Sequence, residues 1–174
     1  RVVDIEANPE KPSEFFGAYA SGGLWHTANN GTTFKPVMDN TPTQILGDIA
    51  VHWPSGTLYA GTGENNSSRS SYAGVGIYKS KDRGESWTSL EAVPEHPAAS
   101  GRGATKAVWY LALAGDSLLA GIDPAGLFRS DDGGASWSSV SSGTSRTLWA
   151  VAFPVDGVHG IIGGEAAGVE EDEH

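Results

Sequence analysis

Glu64, Asp123 and Glu165 each close a short apolar run at matching places in the chain. Asp123 and Glu165 both stand three residues before a glycine, at Gly126 and Gly168. Two such carboxyl groups could share work on a glycoside, one protonating the leaving oxygen while the other attacks or activates water. No flanking residue fixes which acid would keep its proton, and a repeat places like residues at like positions without any chemistry. The three therefore stand as candidates, and no catalytic residue is assigned. Asp131–Asp132 invites a metal, but calcium loops need several oxygen ligands within about a dozen residues. The chain has no Cys, and its five His show no ligand spacing. No metal and no cofactor are expected.

Any such acids must be positioned by the elements around them, and these repeat. Gly23-Leu24-Trp25-His26-Thr27, Gly76-Ile77-Tyr78-Lys79-Ser80 and Gly126-Leu127-Phe128-Arg129-Ser130 share one pattern. A phrase S-x-D-x-G-x-x-W follows twice, at Ser80, Asp82, Gly84, Trp87 and at Ser130, Asp132, Gly134, Trp137. A worn copy lies at Thr27, Asn29, Gly31 and Phe34. The copies recur about every fifty residues, the signature of stacked supersecondary units. Each phrase suits a tight turn. Asp and Ser accept turn amides, Gly supplies backbone that other residues avoid, and Trp packs into a seam.

Two apolar runs of strand length precede each phrase, as at Ile45–Trp53 and Leu58–Gly63. With the strands entering and leaving the phrase, each unit has four antiparallel strands, the measure of a β-propeller blade. The expected fold is all-β, with about three and a half blades. The first blade covers 1–43, the second 44–92 and the third 107–146. A loop (93–106) links the second and third, a partial fourth occupies 147–169, and an acidic tail covers 170–174.

Composition narrows the partners. The 24 Gly favour turns over long helices, and a net charge of −10 excludes a nucleic-acid groove. No apolar run is long enough to insert in a membrane. The start at Arg1, without Met or signal peptide, suggests a processed form or a piece of something longer.

The phrase S-x-D-x-G-x-x-W resembles the Asp box, or bacterial neuraminidase repeat, of sialidases, sortilin-type receptors, xyloglucanase-type glycosidases and photosystem assembly factors. Residues 15–91, including FFGAYASGGLWHTANNGTTF and YAGTGENNSSRSSYAGVGIYKSKDRGESW, are similar to bacterial sortilin-like, glycosyl-hydrolase-like propeller proteins. The resemblance implies structural Asp boxes between the third and fourth strands of each blade. It implies ligand sites on the opposite face and a secreted, periplasmic or cell-surface location. On that face fall the insertion with Glu64, Asn65, Arg69 and Tyr72 and the link with Arg102, while Trp109 opens an inner strand. These are the candidate ligand-binding residues. The expected function is a non-catalytic interaction or assembly module for a protein, peptide or carbohydrate. Two copies would complete a ring of about seven blades, making a homodimer a further expectation. The alternative is a fragment of a sialidase-like or xyloglucanase-like glycoside hydrolase.

Overall fold

The computed structural model describes residues 1–64, 72–94, 107–123 and 126–141, and the backbone of strands at 148–152 and 161–164. Asn65, Arg69, Arg102 and Glu165, most of the 93–106 link and the 170–174 tail lie outside the described residues.

The described strands form three four-stranded antiparallel meanders and one two-stranded sheet. The first contains β1 (Val2–Ala7), β2 (Phe15–Tyr19), β3 (Gly23–Thr27) and β4 (Lys35–Pro36). The second contains β5 (Leu46–His52), β6 (Thr57–Thr62), β7 (Ile77–Ser80) and β8 (Thr88–Ser89). The third contains β9 (Ala107–Ala114), β10 (Ser117–Asp123), β11 (Gly126–Ser130) and β12 (Ser138–Val140). The last pairs β13 (Leu148–Ala152) with β14 (Ile161–Gly164). The first strands of successive sheets pack on one another, β1 on β5, β5 on β9 and β9 on β13. This is the partial β-propeller that the repeat predicts.

The core lies between sheets rather than within one. Alternation along β2 sends Phe16 and Ala18 to one face, where they meet Leu46, Ile49, Leu58 and Tyr78 of the second sheet. The opposite face of the second sheet carries Ala50, Tyr59 and Ile77, which pack with Val108, Leu118, Ala120 and Phe128 of the third. A middle sheet covered on both faces reads as a near-continuous apolar run, and five of the six residues of β6 are buried.

The S-x-D-x-G-x-x-W phrases form the β7–β8 and β11–β12 turns, and their bonds repeat. Ser80 Oγ donates to Asp82 Oδ1 at 2.7 Å and accepts the Gly84 N–H at 2.8 Å. Asp82 Oδ1 also accepts the Ser86 N–H at 2.9 Å. The third sheet makes the same set through Ser130, Asp132, Gly134 and Ser136, each bond at 2.8 Å. In the worn copy Thr27 Oγ1 accepts the Gly31 N–H and Asn29 Oδ1 accepts the Thr33 N–H, both at 3.0 Å. Asn29 thus keeps the acceptor without the charge.

Each turn also grips the preceding sheet. Trp87 Nε1 donates to Val37 O at 2.7 Å and Trp137 Nε1 to Ala92 O at 3.1 Å. Phe34, their counterpart, meets no preceding sheet among the described residues. It is 42% exposed and packs edge-on against Phe15, 5.9 Å between ring centres. Arg83 adopts a left-handed φ of 58°, which costs a non-glycine residue energy. The position carries its guanidinium to Glu14 of the first sheet, at 3.0 Å. Burial opposes the Glu14 charge. Hydrogen bonds from His26 and Asn8, with the fields of Arg83 and Lys11, outweigh it and hold the pKa below the usual value.

These turns are expected to respond to acid. Bonds from the Ser86 hydroxyl, the Ser86 N–H and the Ser80 hydroxyl pull Asp82 down to about 2. The same bonds from Ser136 and Ser130 lower Asp132. A lowered folded pKa contributes stability that is present above the ordinary carboxyl value and is lost as pH falls toward the folded one. The thermal midpoint is therefore expected to drop between about pH 4 and 2. Asp82→Asn, which copies Asn29, should flatten that drop. Thermal unfolding followed by circular dichroism across this range checks it; an unchanged slope in the variant would refute the assignment.

Candidate functional site

In an antiparallel meander, successive connections fall at alternate ends of the sheet. The phrase turns therefore share one end, while the β6–β7 and β10–β11 connections share the other. Glu64 and Asp123 stand at that second end, just after β6 and at the last residue of β10.

Buried Thr62 anchors the β6–β7 loop. Its Oγ1 donates to Gly76 O at 2.6 Å and accepts the Val75 N–H at 2.7 Å. Gly63 N–H donates to Ile45 O at 3.2 Å and Glu64 N–H to Tyr72 O at 3.0 Å. The main chain thereby brings Tyr72 beside Glu64. The Tyr72 side chain is 63% exposed and that of nearby Val75 58%. Glu64 is 14% exposed and pairs with Arg1 at 2.5 Å. A carboxylate fixed by a guanidinium is placed to accept hydrogen bonds from a neighbouring group. The result is an exposed tyrosine whose main chain is bonded to that of Glu64, a carboxylate itself paired with a guanidinium. Such a group can stack on an apolar face and hydrogen-bond to hydroxyls around it.

The structure pairs Glu64 with Arg1 and joins Glu64 to Tyr72 through the main chain. Asp123 is half-buried at the end of β10, opposite Ala107. Trp109 is 8% exposed and buried in the sheet, so it presents little ring to a ligand. The phrase residues Asp82 and Asp132 lie at the opposite end of the sheets, spent on turn bonds.

A second group of acids sits on the first strands. Each first strand carries one extra residue against its neighbour, at Val3, Gly47, Trp109 and Trp149. The residues just after the bulge are Asp4, Asp48 and Tyr110 in the three full sheets. Asp48 Oδ2 accepts the Leu111 N–H of the next sheet at 2.8 Å. Burial, then the charge of Asp4, pushes Asp48 well above the usual carboxyl range. Burial also raises Asp4, and it carries Glu6 up to about 7 with the help of Asp4. Tyr110 is raised by burial and by Asp48. None of these acids stood out in the sequence, where each lies among apolar residues of a short strand. The shared position after a bulge is the one signal that could have linked them. Among the described residues, no group of three acids or histidines is arranged to hold a metal ion.

No protein-family model matches the chain. A xyloglucanase from a Paenibacillus species is 33% identical over 144 residues, covering 81% of this chain. The chain spans only 13% of that relative's length. Among solved structures, the GH74 xyloglucanase from Xanthomonas campestris superposes with a TM-score of 0.70 at 17% identity. The match covers 94% of this chain and 27% of that one. The GH74 enzyme of Niastella koreensis gives 0.61 at 17% identity, covering 90% of this chain and 25% of that one. YCF48 bound to the D1 peptide gives 0.58 at 13% identity, covering 86% and 44%. At these identities the structural likeness establishes architecture alone. By its own sheets and by these neighbours, the chain is part of a β-propeller.

Proposed function

We propose that this chain is a glycan-binding, non-catalytic segment of a propeller, and that its ligand is a xyloglucan-type polysaccharide. The observation that carries the reading is Tyr72, exposed and tied by the main chain to the ion-paired Glu64. An exposed aromatic ring on a segment that also carries hydrogen-bonding groups is chemistry that can hold a neutral sugar. The xyloglucanase relative supports the choice of polysaccharide. In this reading the S-x-D-x-G-x-x-W turns are Asp boxes with a structural role, and the protein works outside the cytoplasm, where such polysaccharides occur.

Retardation in a native gel containing xyloglucan is the test. The protein should migrate more slowly with xyloglucan than with dextran, and Tyr72→Ala should restore free migration. Equal mobility in both gels would overturn the proposal. The second reading, a portion of a polysaccharide-cleaving enzyme, is favoured by the likeness to a xyloglucanase. New reducing ends released from xyloglucan, and lost in Glu64→Gln or Asp123→Asn, would favour it.

A further inference from the structure

Asp4 and Asp48 occupy equivalent places on β1 and β5, the two strands that meet along the first seam. Asp4 Oδ1 accepts the Ile5 N–H at 2.7 Å. Its Oδ2 is buried and has no donor among the described protein groups. Across the seam the Asp4 and Asp48 carboxyls lie within hydrogen-bonding reach, and the bond forms once one of the two carries a proton. Two ionised carboxylates offer only acceptors to each other, so the contact is repulsive until a proton lies between them.

We infer that Asp4 and Asp48 share one proton across the first seam, and that this pair fastens the seam while protonated and loosens it once the proton is lost. Asp48 Oδ2 also accepts the Leu111 N–H, so the pair sits in a line joining three successive sheets. Loss of the proton would strain both seams through one residue. Among the described residues, the titratable groups that feel the charge of the pair are Glu6 on β1 and Tyr110 on β9, and neither supplies a positive charge to relieve it. The Ile5 and Ile49 amides favour the charged forms, but burial outweighs them at both acids.

The sign follows from linkage. Acids held above their unfolded value contribute stability at low pH that is lost as pH rises through the folded value. Glu6 titrates in the same window, so the experiment is done in a Glu6→Gln background. The thermal midpoint of that protein should fall by about 3–6 °C between pH 5 and 8. Adding Asp4→Asn, which supplies a permanent donor to Asp48, should reduce the fall to under about 2 °C and raise the midpoint at pH 8. An equal fall in both proteins would overturn the proposal. Should Asp4→Asn not fold, ¹³C carboxyl shifts of the Glu6→Gln protein decide alone. One of the two carboxyls must still hold its proton at pH 6, and two ordinary titrations near pH 4 would contradict the pair.

Discussion

Trp87→Ala is expected to lower the unfolding free energy by about 3 kcal/mol, near the low end for removal of a large aromatic because the ring is only half-buried. The effect has two parts. The ring packs on the cluster of Phe16, Leu24, Leu46 and Leu58 that joins the first two sheets. Its Nε1 also donates to Val37 O at 2.7 Å, and alanine would leave that carbonyl without the donor. Trp87→Phe keeps most of the packing and loses only the bond, so about 1 kcal/mol is expected. Phe34→Ala provides the comparison, since Phe34 holds the same place in its turn but is 42% exposed and meets no described neighbouring sheet. It should cost about 1 kcal/mol or less. Urea unfolding of the three variants measures the ordering. Equal losses for Trp87→Ala and Phe34→Ala would mean that the indole does not hold the seam.

Gly47→Ala should be at least as damaging, for a different reason. Gly47 is the extra residue of the β5 bulge, and a Cβ there would lie 2.2 Å from Val108 O and 2.6 Å from Gly63 O. Both atoms belong to the main chain, so neither can swing aside as a side-chain tip would. The methyl group would force β9 away from β5, parting the second seam at its inner edge. A loss of more than about 3 kcal/mol, or failure to accumulate as folded protein, is expected. Gly115→Ala separates this from backbone strain alone. Its φ is +60° and a Cβ there would meet no atom within 4 Å, so about 1 kcal/mol is expected. Similar losses at the two positions would argue that the approach of Val108 is not what requires glycine.

The fold was legible because the repeated phrase carries local instructions. Ser80, Asp82 and Gly84 close a turn through bonds that reach no more than a few residues, and the same letters at Ser130, Asp132 and Gly134 close it again. Spacing between turns then dictates the strands. The fourth strands were harder to read, since β4 and β8 have only two residues each and no apolar period to show. The candidate group was partly legible. Glu64 and Tyr72 drew attention as an insertion, but the Arg1 partner comes from the far end of the first sheet. Nothing local ties those two residues. Asp4 and Asp48 were illegible for a further reason. A bulge shifts the alternation by one, so the face each acid occupies follows from pairing with the next strand. Arg83 likewise reads as a filler within its phrase, yet its left-handed backbone aims it at Glu14.

The two ends of the sheets thus have separate work. One end carries acids used up in turn bonds, which keep the sheets in register with their neighbours. The other carries the exposed Tyr72 and the ion pair of Glu64 with Arg1, the group proposed above to take a ligand. The seams between the sheets decide whether that group stays in place, since Arg1 belongs to the first sheet and Glu64 to the second.

The most direct measurement is an isothermal titration of the protein with a xyloglucan oligosaccharide, followed by assay of reducing ends in the same cell. Glycan binding at Tyr72 without cleavage requires saturable heat, its loss in Tyr72→Ala, and no increase in reducing ends. Absence of heat from the folded protein would contradict it.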